Sequence, residues 1–302
     1  MSGHGNAGYR RLFGGESLTF GAVFPLHGRD RATPSPDHEL SLAKHAECVG
    51  FDALWARDVP TDWPKFGDTG QSYDVWPWLT WTGAHTEKIA LGTASVVLPL
   101  RHPLHVAKSA ASVDRLSEGR LVLGVASGDR PPEYAAFGVN ENQRGELFRE
   151  SISMLRTVWA EEFPEHDSQW GTLDGTVDLV PKPTSETLPL LVTGRSRQSM
   201  EWIGSHGDGW LFYHLPRRTL ESYLSDWREV GGEKPFAMAM GVELADCDPE
   251  SIHQGVRARS EWFVEYFREL AEMGVDHVLV SVRGEETEKE LTRFAENVMD
   301  EV

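Results

Sequence analysis

The chain of 302 residues is 40% hydrophobic and 10% aromatic, ample for a large core, yet holds no apolar run of the ~18 residues that would cross a bilayer. A formal charge of −18, with seven lysines among 29 basic residues, lacks the clustered cations that nucleic acid requires. Cys48 and Cys247 lie far apart with no companion at metal-ligand spacing, so they read as buried, reduced thiols of a cytoplasmic protein rather than a zinc site or a disulfide frame. So acidic a surface suits either a high-salt cytoplasm or an ordinary acidic enzyme.

In chain order, residues 1–17 are Gly-rich and polar, without a secretion signal, and predict a loose tail ahead of one domain over 18–302. Apolar runs of strand length follow at Phe20–Phe24, Ala53–Ala56, Ile89–Leu98, Leu121–Ala126, Leu188–Val192, Gly209–Tyr213, Phe236–Gly241 and His277–Val282, each trailed by a helical pattern. The runs are near-continuous rather than alternating, as parallel strands covered on both faces should be. Eight βα units predict an α/β fold, a single TIM (β/α)8 barrel. In "DHELSLAKHAECVGFDAL" the first helix starts at an Asp37 cap, spaces Leu40, Ala43 and Ala46 on one face, and stops at Gly50. Two connections are long, Asp58–Tyr73 and Ser127–Leu188. The second is an insertion after the fourth strand, with a helix over Arg144–Glu161 and a hairpin turning at Asp174-Gly175.

In a parallel barrel the carboxyl ends of the strands form the site. Here those ends offer Pro25 and His27, Arg57 and Asp58, Arg101 and His102, Ser127 and Asp129, Arg195 to Ser199, and His214. Any one of these reads equally as a solvated or capping residue; their convergence on one rim is what indicates a site. The stretch "LLVTGRSRQSMEWIG" runs from strand to helix through Gly194, Arg195, Ser196 and Ser199. It is either an ordinary serine helix cap or an anion cradle of the phosphate-binding kind.

The run "IALGTASVVLPLRHPLHVAKSAASVDRLSEGRLVLGVASGD" resembles the third and fourth βα units of the bacterial-luciferase-like flavin oxidoreductases. The resemblance covers roughly residues 18–215 and continues in outline beyond. It implies a phosphate held by Gly194, Arg195, Ser196 and Ser199, by Arg144 from the insertion, and by Ser127 where luciferases have an arginine. It also implies a cis peptide at Ala94-Ser95 beneath the flavin ring. Asp58, Arg101 and His102 would then stand near that ring to position substrate or move protons, though His102 between its prolines reads equally as a turn cap. Two further departures matter: Ala126 replaces the reactive cysteine of luciferases, and Arg57-Asp58 their catalytic histidine, so light emission is not implied.

Three functions follow from the resemblance. The first is a monooxygenase using reduced FMN and O2 on a small organic substrate, with a separate flavin reductase as partner. The second is a dehydrogenase or reductase using an 8-hydroxy-5-deazaflavin coenzyme, and the third a non-catalytic flavin-binding protein. A homodimer is expected through the early helices and loops. Trp76, Trp78 and Trp81 in "DVWPWLTWTGA" cannot all face one way, so at least one should reach beyond the core.

Overall fold

The computed structural model describes residues 5–26, 35–66 and 73–302. His27 lies outside them. Eight parallel strands close a barrel: β1 (Thr19–Val23), β2 (Ala53–Ala56), β3 (Ala90–Val97), β4 (Leu121–Ala126), β5 (Leu190–Thr193), β6 (Gly209–Tyr213), β7 (Phe236–Leu244) and β8 (His277–Arg283). Each pairs with the next, and β8 returns to β1 with Thr19 opposite His277. The chain thus forms the TIM barrel that the eight apolar runs predict. The barrel interior is filled by residues such as Trp55, Ala90, Val122, Leu191 and Leu279. A larger apolar layer lies between barrel and helices, with Phe20, Leu54, Leu121, Trp210, Phe236 and Phe267 among its members.

The stretch expected as a loose tail is instead a working part of the floor. Ala7–Phe13 is a helix whose Leu12 joins the interior cluster. Asn6 is fully buried: its side chain caps the helix by accepting from the Tyr9 N–H and donates to Asp114 Oδ1 and to the Leu121 carbonyl, each at 3.0 Å. Asparagine is a favoured cap, and glycine at position 8 allows the helix to touch the chain at Arg120, where a Cβ would meet the carbonyl oxygen at 2.3 Å. The "DRLSEGR" run serves this same floor. Asp114 also accepts from Thr184, and Arg120 spends its guanidinium on Thr86 Oγ1 and on the carbonyls of Gly83, Thr86, Ile89 and Ser117.

Other boundaries differ in detail. The first barrel helix is Pro36–Cys48, with Ser35 before Pro36 at its start rather than an Asp37 cap, because proline suits the first helical position. The insertion contains the helix Arg144–Ala160 and a hairpin, but the hairpin pairs Glu165–Ser168 with Gly171–Asp174. Its turn is at Gln169-Trp170. Asp174-Gly175 instead ends the second strand in a local turn in which the Thr176 N–H donates to Asp174 Oδ1. A short hairpin, Glu250–Ile252 with Gly255–Ala258, extends the long β7 and was not foreseen. Cys48 is exposed and Cys247 half-buried, against the expectation that both are buried, since each lies at or beyond the end of an element.

His277 is buried inside the barrel, where Nε2 accepts from Trp55 Nε1 at 2.9 Å and Nδ1 donates to Thr19 Oγ1 at 2.7 Å. Burial pushes its pKa down to about 3. An unfolded chain would therefore bind a proton between the ordinary histidine value and pH 3 that the native chain refuses. The stabilising contribution is fully present above about pH 6.5 and is lost as pH falls toward 3. Urea unfolding at a series of pH values from 7 to 4 should show His277→Gln with a shallower fall in stability than the parent, by up to ~1.4 kcal/mol per pH unit. Parallel curves would show that this imidazole is not held neutral.

Candidate active site

At the carboxyl ends of β3, β4 and β5 the structure joins several expected residues in one polar chain. Ala94-Ser95 is a cis peptide, and it lies at the register shift between β3 and β4. Glycine at 124 permits the close approach there, since a Cβ would meet the Thr93 carbonyl oxygen at 2.1 Å. Ser95 Oγ bonds to Thr193 Oγ1 at 2.5 Å. Ser196 Oγ donates to the Thr193 carbonyl at 2.8 Å and accepts from the Ser127 N–H at 3.2 Å. The Ser127 carbonyl in turn accepts from the Tyr134 hydroxyl, and the Arg144 guanidinium lies 5.6 Å over the Tyr134 ring. Burial pushes the Tyr134 phenol up to about 12, so it remains a donor.

Arg144 pairs with Glu141, yet its Nε is buried without a hydrogen-bond partner. An unsatisfied guanidinium nitrogen beneath protein is costly, and an anion between Arg144 and the β5 loop would satisfy it. The loop itself is strained toward the left-handed region at Gly194, Ser196 and Arg197, with φ of 58°, 43° and 60°. Gln198, within the Arg195–Ser199 stretch but not singled out there, pins it by donating to the carbonyls of Gly145 and Ser196. Ser199 caps the helix Met200–His206 by accepting from the Trp202 N–H, so its hydroxyl has the ordinary structural employment. Arg195 is exposed, with its guanidinium 5.5 Å from the Tyr223 ring and 5.7 Å from Trp210.

The three residues expected at the ring edge divide. Asp58 and Arg101 come together: Arg101 Nε reaches Asp58 Oδ2 at 3.0 Å and Nη2 reaches Oδ1 at 2.7 Å, while the Val97 N–H also donates to Asp58. Arg101 extends to Asp74 at 2.8 Å, the cap of the helix Val75–Gly83. Burial alone would lower the Arg101 pKa, but these two carboxylates hold it above its ordinary value. His102 turns elsewhere. Its Nδ1 accepts from the Leu104 N–H as a helix cap, and its Nε2 donates to the Trp170 carbonyl of the hairpin at 3.1 Å.

Arg57 and Asp129 follow β2 and β4 and lie close enough to interact. Exclusion of water lowers the Arg57 pKa, opposed by Asp129, and raises that of Asp129, opposed by its own backbone N–H and by Arg57 and Arg144. Tyr134 and Thr193, like Gln198, carry no sequence signal beyond being polar near a strand end. Among the described residues no cluster of His, Cys, Asp or Glu could hold a metal ion.

The profile of luciferase-like monooxygenases matches residues 18–247. The chain belongs to that family. An uncharacterised protein of Mycobacterium tuberculosis is 34% identical over 187 residues, 57% of this chain and 66% of that protein. The F420-dependent hydroxymycolic acid dehydrogenase of the same organism is 30% identical over 224 residues, 72% of this chain and 56% of its own length. The alkanal monooxygenase alpha chain of Photorhabdus luminescens is 28% identical over 169 residues, 56% and 45% of the two chains. The chain thus spans no more than about two thirds of these relatives. In fold it is similar to an F420-dependent secondary alcohol dehydrogenase solved with an F420-acetone adduct, with a TM-score of 0.78 at 18% identity, over 94% of this chain and 99% of that one.

Removing the cation from the Asp58 pair should be expensive, because it leaves a buried carboxylate alone. Arg101→Met is expected to lose about 3–5 kcal/mol of stability in urea unfolding, with part of it recovered when Asp58→Asn is added. A loss under about 1 kcal/mol, the scale of an exposed pair, would show that the two do not staple β2 to β3.

Proposed function

We propose that this family member is a cytoplasmic oxidoreductase that binds a phosphorylated flavin-type cofactor in the barrel mouth. Arg144 and the Gly194–Ser199 loop would hold the phosphate, Ser127 would lie beside it, and Ala94-Ser95 would lie beneath the ring. The buried, unsatisfied Arg144 Nε is the observation that supports this most directly. Such a cofactor, when bound, supplies the redox chemistry, and the protein supplies orientation and control of water. In the first reading the cofactor is reduced FMN, reoxidised by O2 as a small organic substrate is oxygenated, with a separate reductase supplying electrons. The second reading is hydride transfer with a deazaflavin of the F420 type. Two observations favour it: the F420-dependent relative above, and the exposure of Arg195, Arg197 and Ser199, which leaves room for a cofactor that continues past its phosphate.

The contribution of this chain to either chemistry is positional. Arg57 stands where a luciferase has histidine, and a guanidinium stays protonated, so it would steady negative charge rather than relay protons. Asp58 and Arg101 fix the rim, and His102 steadies the hairpin beside it.

Arg144→Ala should weaken FMN binding by roughly 1.5–3 kcal/mol, the scale of a charged hydrogen bond, and leave riboflavin binding unchanged because riboflavin has no phosphate. Fluorescence titration of both ligands into both proteins reads this directly, and a parallel titration with F420 decides between the two cofactors. Equal FMN affinity for parent and variant would make the loop a helix cap and nothing more.

We also propose a homodimer through the helices Val75–Gly83 and Pro103–Leu116. Trp76 and Trp78 are buried, whereas Trp81 is 43% exposed and Leu116 67% exposed. Light scattering at micromolar concentration should give twice the mass of 33.8 kDa, falling toward the single mass in Trp81→Glu. A monomeric parent removes the proposal.

A further inference from the structure

Outside the barrel, the two-turn helix Met200–His206 is too short to fill the space beside the long helix Arg144–Ala160. A cleft of about 660 Å³ remains between them. One wall carries Arg149, Ser153 and Thr157, spaced to share a helix face. The other carries Trp202 and His206, whose rings stack at 4.3 Å and 7°. His206 is exposed, so the pair presents a flat face, and because Nδ1 donates to the Trp202 carbonyl at 2.9 Å, Nε2 is left as an acceptor at its edge.

The charges in the cleft are unequally committed. Arg156 is tied to Asp208 at 2.6 Å, and Lys234 donates to the carbonyls of Gly204 and Gly207. Arg149 makes one long bond, Nη1 to Gln198 Oε1 at 3.3 Å, which leaves most of its five donors for a ligand. With Glu150 and Asp208 as the facing acids, three cations meet two carboxylates, so the cleft carries a small local excess of positive charge in a chain of net charge −18.

We propose that this cleft binds a nucleotide, with the planar base lying on His206 and the phosphate received by Arg149 and Ser153. Its volume falls in the range of small-ligand sites, and ring stacking combined with a forked cation and a hydroxyl is the chemistry that recognises a phosphorylated heterocycle. The site shares no lining residue with the proposed phosphate loop, which it adjoins through the Arg149–Gln198 bond.

Isothermal titration calorimetry with ADP, adenosine and inorganic phosphate tests this. ADP should bind with a Kd below about 1 mM. Ser153→Glu, on an exposed helix face, should weaken ADP at least about tenfold by placing a carboxylate at the phosphate position. His206→Ala should weaken ADP about fivefold while inorganic phosphate binds it as it binds the parent. No ADP binding at millimolar concentration, or ADP affinity unchanged in Ser153→Glu, would each overturn the proposal. Failure of FMN to bind at all would leave it standing.

Discussion

The buried guanidinium of Arg120 is the constraint around which the lower half of the barrel is arranged. All five of its donors are used internally, on Thr86 Oγ1 and on four carbonyls from the end of one helix, the start of β3 and the turn before β4. A charge so placed is tolerated only with every donor satisfied. Satisfying it fixes how β3 and β4 begin, and so where their far ends meet at Ala94-Ser95 and Ser127. The N-terminal helix closes the same floor through Asn6 and Gly8. The geometry of the mouth is thus set more than a strand length away from it.

At the mouth, arginines with different partners have different work. Arg101 is held by Asp58 and Asp74; Arg130 lies beside Glu133 at 3.7 Å and over the Phe66 ring at 4.6 Å. These tie the loops after β2 and β4 to the rim. Arg144 is the contrast, since its pairing with Glu141 leaves a buried nitrogen unused. Leaving a buried donor unpaired costs free energy that the fully engaged Arg101 does not incur.

Relatives of this chain include both an F420-dependent dehydrogenase and an alkanal monooxygenase. At the end of β4 this chain has Ala126, and after β2 it has Arg57, a guanidinium that stays protonated. Near Arg57, Asp129 is the carboxylate whose proton affinity the surrounding protein raises.

The eight strands, their parallel sense and the TIM barrel were legible in the sequence, because parallel strands covered on both faces must be apolar along their whole length. The family was legible as well, in "GTASVVLPLRHP" and "DRLSEGR". The cis peptide came from the resemblance and not from any local rule. What the sequence left undecided was the employment of its polar residues. His102, Asp58 and Ser199 have the right chemistry for a site, yet two cap helices and one staples strands, while Tyr134, Thr193 and Gln198 join the polar chain without any distinguishing pattern. The residues 7–13 looked like a tail because seven residues are too few to fold alone; only the barrel floor supplies the apolar surface and the Asp114 carboxylate that make them a helix. A side chain's type is written in the sequence, but its hydrogen-bond partners come from strands and loops a hundred residues away, and those are settled only when the barrel closes.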